Sequence, residues 1–386
     1  MVGSTGHAVV TPRGTVIIVT PGGLEHGGGI GRQMGYFLKT GRVEPGKIRY
    51  RIVDSRGPSH IVFAPLYLFA ALCQLAVARL TQKHVVAHIN IAGRGSTIRK
   101  LVIFLLNRAI GLPYVLHLHD YDYADDFSRR SRVAKCLIRS MFRRAASVVV
   151  LGRRDRDITL RLLGVRDERV IVLNNAVPDP GRRTGRCVRP GEPCHLLFLG
   201  RLSARKGVPD LLHALADTSL HGLDWRLTLA GDGPLEDYRE LAAELGILDR
   251  LKFTGWLGEA EIGALCAEGD VLVLPSYAEG LAMSVLEGLA HGLAVITTPV
   301  GAHCEVIEPE VSGLLVPVGD RSALADCLSR VISDVTLRRR LAEGARCRFQ
   351  GKFEVGGYAT RLERLHTAIL SKRLERVGAL ATDERS

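Results

Sequence analysis

The sequence contains no CxxC pair and no grouping of cysteine with histidine at zinc-ligand spacing; its eight cysteines are scattered at positions 73, 136, 187, 194, 266, 304, 327 and 347. A disulfide framework and a structural metal site are therefore not expected, and the thiols read as the reduced ones of a cytoplasmic protein. A signal peptide is also missing from this reading, because the first apolar run, TVIIVT at 15–20, is short and ends in Pro-Gly-Gly. Nor is there a compositional bias towards disorder or fibre, with 46% hydrophobic and 24% charged residues. At 386 residues the chain exceeds one ordinary core and suits two domains.

Long apolar runs are scarce. Only IVFAPLYLFAALCQLAVA, residues 61–78, nearly reaches spanning length, with Gln74 as its one clearly polar side chain. It sits between two strand-like runs, IRYRIVD (48–54) and VVAHINI (85–91), which spanning would place on opposite sides of a bilayer. A buried crossover helix is the expectation.

Charge is abundant but uneven. Residues 1–190 hold 31 Lys+Arg against 12 Asp+Glu, a balance of +19, whereas the remainder holds 21 against 28, a balance of −7. A basic first half suits an anionic partner, whether nucleic acid, an acidic membrane surface or a phosphorylated substrate, or else is simply a solvated Arg-rich surface. FSRRSRVAKCLIRSMFRRA (127–145) has the pattern of a basic amphipathic helix that lies on an anionic membrane; equally, it fits a surface helix packing Val133, Leu137 and Met141 inward.

Short apolar runs alternate with helical patterns through 14–180, a βαβ series that implies a parallel sheet. A Pro/Gly/Arg-rich linker follows at 181–194, and the rhythm restarts over 195–345. Helical segments at 346–372 are expected to close the second domain and cross back to the first, ahead of a frayed tail at 373–386. The architecture read from this is α/β, two Rossmann-like doubly wound domains facing a cleft, with ligands beyond the carboxyl ends of the strands.

Those strand ends carry the candidate chemistry. After HLLFLG comes RLSARKG, where Arg201 and Lys206 suit a diphosphate leaving group and Arg205 is a substitute. LAGDGP supplies Gly231 and Gly233 at a tight turn. The stretch AEGLAMSVLEGLAHG (278–292) places two carboxylates, Glu279 and Glu287, eight residues apart in small and apolar company. Backbone amides of Gly280, Leu281 and Ala282 are read as a helix N-terminus for phosphate. Eight helical residues rise about 12 Å, roughly the length of a diphosphate between two sugars. In the first half, PGGLEHGGGIGRQ (21–33) offers a glycine loop, but no acidic residue is read as closing the next strand in the manner of a dinucleotide fingerprint. VLHLHDYDY (115–123) sends His117 and His119 to one side of a strand.

GR(L)…KG, LAGDGP, FTGW, PSYAEGLAMSVLEGLAHGLAVITTPVGAHCEVI and SGLLVPVGD, in that order, closely resemble the retaining glycosyltransferases of GT-B fold, family four (glycosyl transferases group 1). The resemblance is strong over 195–345 and moderate over 14–180. It implies that Arg201 and Lys206 grip the donor diphosphate, that Glu279 contacts the donor sugar and Glu287 the ribose, and that Gly28 and Gly29 approach the phosphates. It implies His119 as a donor to the transferred sugar or an aid to acceptor deprotonation; His117 is read separately as a buried structural histidine. NIAGRGSTIRK (90–100) is similar to a loop of bacterial polysaccharide-assembly members, so Arg94, Arg99 and Lys100 are expected to face an anionic acceptor. The family's EG(L)P proline is Ala282 here, whose N–H is expected still to face phosphate. The expected partners are a UDP- or GDP-sugar donor, a glycan or lipid-linked glycan acceptor and the inner face of a membrane, without nucleic acid, cofactor or metal. A nucleotide-sugar epimerase or phosphorylase and an inert sugar-nucleotide sensor or scaffold are the competing readings.

Overall fold

The computed structural model of the protein describes residues 14–40, 48–58, 61–181 and 192–383. Most of the expected linker, 182–191, and the last three residues of the tail lie outside the described residues. The chain divides into two compact units: Met1–Val150 with Arg156–Leu173 and Gly356–Ser386, and Leu151–Asp155 with Asn174–Val355.

The first unit is a six-stranded sheet built from β1 (Gly14–Thr20), β2 (Ile48–Asp54), β3 (Val85–Ile91), β4 (Tyr114–Leu118), β5 (Ser147–Val150) and β6 (Val170–Val172). The order is β2-β1-β3-β4-β5-β6, with every pairing parallel. Strands such as VVAHINI are buried along their whole length, as a parallel sheet covered on both faces demands. Its helices are α1 (Gly28–Lys39), α2 (Ala64–Thr81), α3 (Gly95–Ala109), α4 (Tyr123–Ser128) and α5 (Arg132–Arg144), with α6 (Arg153–Arg161) after β5. The chain turns back between β2 and β3, so the topological switch point lies between β1 and β3.

The second unit repeats the plan with β7 (Cys194–Leu199), β8 (Trp225–Ala230), β9 (Leu251–Gly255), β10 (Val271–Leu274), β11 (Ala294–Thr297) and β12 (Leu314–Leu315), ordered β12-β11-β10-β7-β8-β9 and parallel throughout. The helices are α7 (Val208–Leu215), α8 (Leu235–Glu244), α9 (Glu259–Glu268), α10 (Met283–Ala290), α11 (His303–Val306), α12 (Arg321–Ser333) and α13 (Val335–Lys352). Here the switch point falls between β7 and β10.

The last helix, α14 (Val355–Asp383), belongs to the first unit from Gly356 onward. A chain of rings holds it there. Tyr50 Oη meets His366 Nδ1 at 3.1 Å, His366 Nε2 meets His88 Nδ1 at 3.0 Å, and His88 Nε2 meets His117 Nδ1 at 3.2 Å. Both nitrogens of each of the two inner imidazoles are paired, so that a neutral ring, donating on one side and accepting on the other, satisfies the chain without a buried charge. Burial pushes His88 down to about 4 and holds His117 and His366 well below their ordinary range, reinforced by the neighbouring imidazoles.

Two sequence expectations are corrected. The run at 61–78 does form a crossover helix, but α2 is not a buried one: Leu66, Phe69 and Leu80 are 66%, 67% and 83% exposed, and only the small or central side chains Ala64, Ala71, Leu75 and Ala78 turn inward. In α5 the inward face is Ile138, Met141 and Phe142; Val133 and Leu137 face solvent, one helical step round from the stripe expected to pack.

Candidate functional site

The second unit's switch point brings together residues that lie far apart in the chain. The loop after β7 carries Arg201, Arg205 and Lys206, and the loop after β10 carries Ser276 and Glu279. Lys206 Nζ lies 2.6 Å from Glu279 Oε1, Arg205 Nη1 lies 3.3 Å from the same oxygen, and Ser276 Oγ donates to it at 3.2 Å. Arg205 also donates to the Ala278 carbonyl at 2.5 Å. Burial alone would raise the Glu279 carboxyl, yet Lys206 and then Arg205 outweigh it and hold the group below its usual range. The carboxylate is therefore charged, buried and already paired. Arg201 is exposed and forms no hydrogen bond or ion pair with the described residues, so its guanidinium remains available to an anion.

The loop from Gly280 to Ala282 is held from behind. Ala302 N–H donates to the Gly280 carbonyl at 2.8 Å, and Asn175 Nδ2 to the Leu281 carbonyl at 3.0 Å. Ala282 N–H donates to His303 Nε2 at 3.3 Å, which corrects the expectation that this amide faces phosphate. His303 is fully buried, is pushed down to about 4 by that burial, and turns Nδ1 to the Thr298 carbonyl at 3.2 Å, so it is a neutral ring with Nδ1–H. The helical ruler is corrected too: α10 begins at Met283, so 279–282 are loop and the eight-residue helical rise does not apply. Glu287 sits inside α10, all eight residues of which are buried, and is itself 7% exposed.

Neither spacing nor the resemblance carried by PVGAHCEVI points to a role for His303, Gly301 or Asn175. A Cβ at Gly301, where φ is +55°, would overlap the Glu279 and Gly280 carbonyl oxygens. Gly301→Ala is thus expected to cost about 3 kcal/mol from backbone strain and overlap, read as a lowered urea midpoint, with the Glu279 loop displaced. Gly231 is bound by the same logic, since a Cβ there would strike the Gly200 carbonyl; Gly233 abuts Leu202. These glycines let strand ends approach each other, which precedes any contact with ligand.

At the first unit's switch point the loop after β1 is organised by Asp54, whose Oδ1 accepts from the amides of Gly22 (2.8 Å), Arg56 (2.8 Å) and Gly57 (3.0 Å). This is an acidic residue closing β2, which the sequence reading did not assign. Gly28 and Gly29 start α1 on its exposed side, Gly28 at φ +58° with open space about it. His117, in β4, and His119, just past its end, have ring centroids 4.0 Å apart, with His117 buried and His119 half-buried. Asn90 Nδ2 donates to the Val19 carbonyl, so its Oδ1, 2.8 Å from His119 Nε2, accepts from that ring. Burial pushes His119 down to about 3, leaving a neutral imidazole with Nδ1 as its acceptor. The ring is therefore not the hydrogen-bond donor that was one of its two expected roles.

The basic acceptor-side trio is not one surface. Arg94 is exposed at φ +62° and donates to Tyr121 Oη at 2.6 Å, Arg99 is half-buried, and Lys100 is fully buried, donating to Ser55 Oγ. Burial, then the charge of Arg99, pushes Lys100 down to about 7. The side chain lies under the β1–β2 ends rather than facing an acceptor. Among the described residues no group of three or more His, Cys, Asp or Glu side chains is arranged to hold a metal ion.

Comparison with known proteins gives this geometry a family. Residues 193–334 match the family described as "Glycosyl transferases group 1", and residues 8–176 match "Glycosyl transferase 4-like domain". The chain is 30% identical over 258 residues to alpha-D-kanosaminyltransferase of Streptomyces kanamyceticus, covering 63% of this chain and 67% of that protein. It is 32% identical over 212 residues to the lipopolysaccharide core biosynthesis glycosyltransferase LpsD of Rhizobium meliloti, covering 53% of this chain and 60% of that one. Its fold is similar to that of Anabaena HepE, solved in complex with UDP and glucose, at a TM-score of 0.72 and 18% identity over 92% of this chain and 99% of the other. With both halves matched in order and two parallel Rossmann-like sheets beneath them, the chain belongs to the group 1 glycosyltransferases and is an enzyme of GT-B fold.

Proposed function

We propose that the enzyme moves a sugar from a nucleotide-diphosphate donor to an acceptor hydroxyl with retention of configuration, the second unit binding the donor and the first the acceptor. The observation that carries this reading is the Lys206–Glu279 pair at the β7/β10 switch point, with exposed Arg201 beside it in sequence. A diphosphate leaving group gathers negative charge as the sugar departs, and on this reading Arg201 with Lys206 stabilises that charge in the role a metal would otherwise take. Glu279, held anionic, accepts hydrogen bonds from sugar hydroxyls and limits how much of Lys206's charge the ground state uses. Glu287 is the ribose contact. His119 Nδ1 accepts a hydrogen bond from a hydroxyl on the sugar or acceptor. Retention then proceeds through attack on the face the leaving group vacates, within an ion-pair-like transition state, and needs no covalent nucleophile.

HepE was solved with UDP, which supports a UDP-sugar donor over a GDP-sugar. The acceptor is a lipid-linked glycan, consistent with LpsD acting in lipopolysaccharide core biosynthesis, and the enzyme works at the cytoplasmic face of a membrane. The kanosaminyl-transferring relative favours a second reading, a small soluble acceptor. A thermal-shift panel of UDP- and GDP-sugars, followed by mass spectrometry of reactions with membrane lipid extract, tests the proposal. Stabilisation by one nucleotide sugar and a lipid product heavier by one sugar are expected; donor binding with product only on soluble acceptors selects the second reading. Glu287→Ala should weaken free UDP and UDP-sugar together, by about tenfold for the loss of a charge-assisted hydrogen bond, measured by calorimetry.

A further inference from the structure

We propose that the outer face of the α2–α3–α5 layer is a lipid-docking surface that lies in the plane of an anionic membrane, with α2 immersed at the headgroup–acyl boundary. This rests on the reading that the enzyme works at a membrane and deepens it by naming the surface; it does not depend on the identity of the acceptor.

The three helices pack side by side on one face of the first sheet, α2 against α3 and α3 against α5, and share one hydrophobic core. Their buried sides face the sheet, so their exposed sides point the same way. On α2 the exposed side is an apolar stripe of Leu66, Phe69, Cys73, Val77 and Leu80, spaced by three and four residues and preceded by exposed Val62 in the turn before the helix. α3 continues it with Ile98, Val102 and Leu105, again at helical spacing, and α5 adds Val133, 71% exposed. Scattered surface hydrophobics are ordinary, but stripes running the length of an 18-residue helix, about 27 Å, and along its neighbour form a contiguous patch of the kind that marks an interaction surface.

Charge identifies the occupant. α5 carries Arg132, Lys135, Arg139, Arg143 and Arg144 and no acidic residue. Apolar stripes flanked by cations of one sign match a bilayer with anionic headgroups. A second copy of the chain is disfavoured, because apposing this layer to itself would bring like charges together. Helix α2 is also long and apolar enough to cross a membrane. Topology forbids crossing: β2 and β3, at its two ends, both pair with β1 in the same parallel sheet. A helix lying flat is the arrangement that keeps the sheet intact and covers the stripe.

The test is flotation of the full chain with vesicles of phosphatidylcholine alone and with about one third phosphatidylglycerol, at low and high salt. Binding to the anionic vesicles and its weakening by salt are expected. Leu66→Gln with Phe69→Gln should lower partitioning at least tenfold, and Arg132→Ser with Arg144→Ser about fivefold per charge with a shallower salt dependence. All these side chains are exposed, and the variants should keep the wild-type melting temperature and affinity for the nucleotide sugar, which separates failure of this proposal from failure of the catalytic one. Absence of vesicle binding, binding unchanged in the Leu66/Phe69 variant, or a solution dimer that this variant dissolves would each overturn it.

Discussion

Glu279→Gln is expected to lower glycosyl transfer by about a hundredfold or more while leaving affinity for free UDP or GDP unchanged or tighter. The carboxylate sits 2.6 Å from Lys206 and within reach of Arg205 and Ser276, so the amide keeps the shape and some of the hydrogen bonds but removes the anion. Two consequences of opposite sign follow. Lys206 is left with its charge unopposed, which favours a free diphosphate. The donor sugar loses the acceptor that orients it over the departing phosphate, and transfer falls because that contact matters most as the glycosidic bond breaks. Steady-state kinetics and nucleotide titration on one preparation separate the two. A variant losing both in equal measure would make Glu279 a scaffold for Lys206 rather than a sugar contact. Lys206→Ala is not the gentler control, since it would leave a buried carboxylate short of its nearest cation.

The second large effect is on acid stability of the first unit. His88 falls from 6.5 to about 4, His119 to about 3, and His117 and His366 lie well below 6.5, all because burial disfavours the charged ring. The unfolded chain binds protons on these histidines below about pH 6.5, whereas the folded unit does not until the pH approaches the lowered values. Stability from this source is therefore complete above pH 6.5 and is lost progressively as pH falls towards 4. For His88 alone the difference corresponds to about 3 kcal/mol. Both tryptophans, Trp225 and Trp256, belong to the second unit, so their fluorescence follows that unit while amide exchange in β3 and β4 follows the first. Between pH 7.5 and 5, corrected exchange in β3 and β4 should accelerate strongly before tryptophan emission changes. Equal protection at both pH values would mean that these histidines are already charged in the folded state.

How far the sequence reveals this molecule depends on the range of the interaction concerned. Alternation of apolar runs with helical patterns reports the two parallel sheets, because strands buried on both faces are largely apolar, as in VLVL; in VVAHINI the two polar residues, His88 and Asn90, are buried with hydrogen-bond partners. Strand-end chemistry is legible for the same reason: once the sheets are known, RLSARKG and AEGLA must lie at carboxyl ends. What spacing along the chain does not report is pairing between loops. Lys206 and Glu279 were read as phosphate and sugar contacts separately, and that they touch follows only from β7 and β10 being neighbours. His303 reaches Ala282 through the same kind of contact, across 21 residues. The α2 misreading has a different cause. An apolar helix is expected to be buried, and hydropathy alone does not distinguish a face covered by protein from one offered to something else. The histidine chain is likewise invisible locally, since His88, His117 and His366 come from two strands and the last helix.

The central claim, that a nucleotide sugar is turned over at the β7/β10 switch point with retention, is tested most directly by following the anomeric proton by NMR during a reaction containing the donor selected by thermal shift, acceptor and a metal chelator. Consumption of an α-linked donor and growth of an α-linked product are expected at an undiminished rate under chelation, with the reaction arrested by Glu279→Gln. A β-linked product, or no donor consumed from any UDP- or GDP-sugar, would contradict that claim.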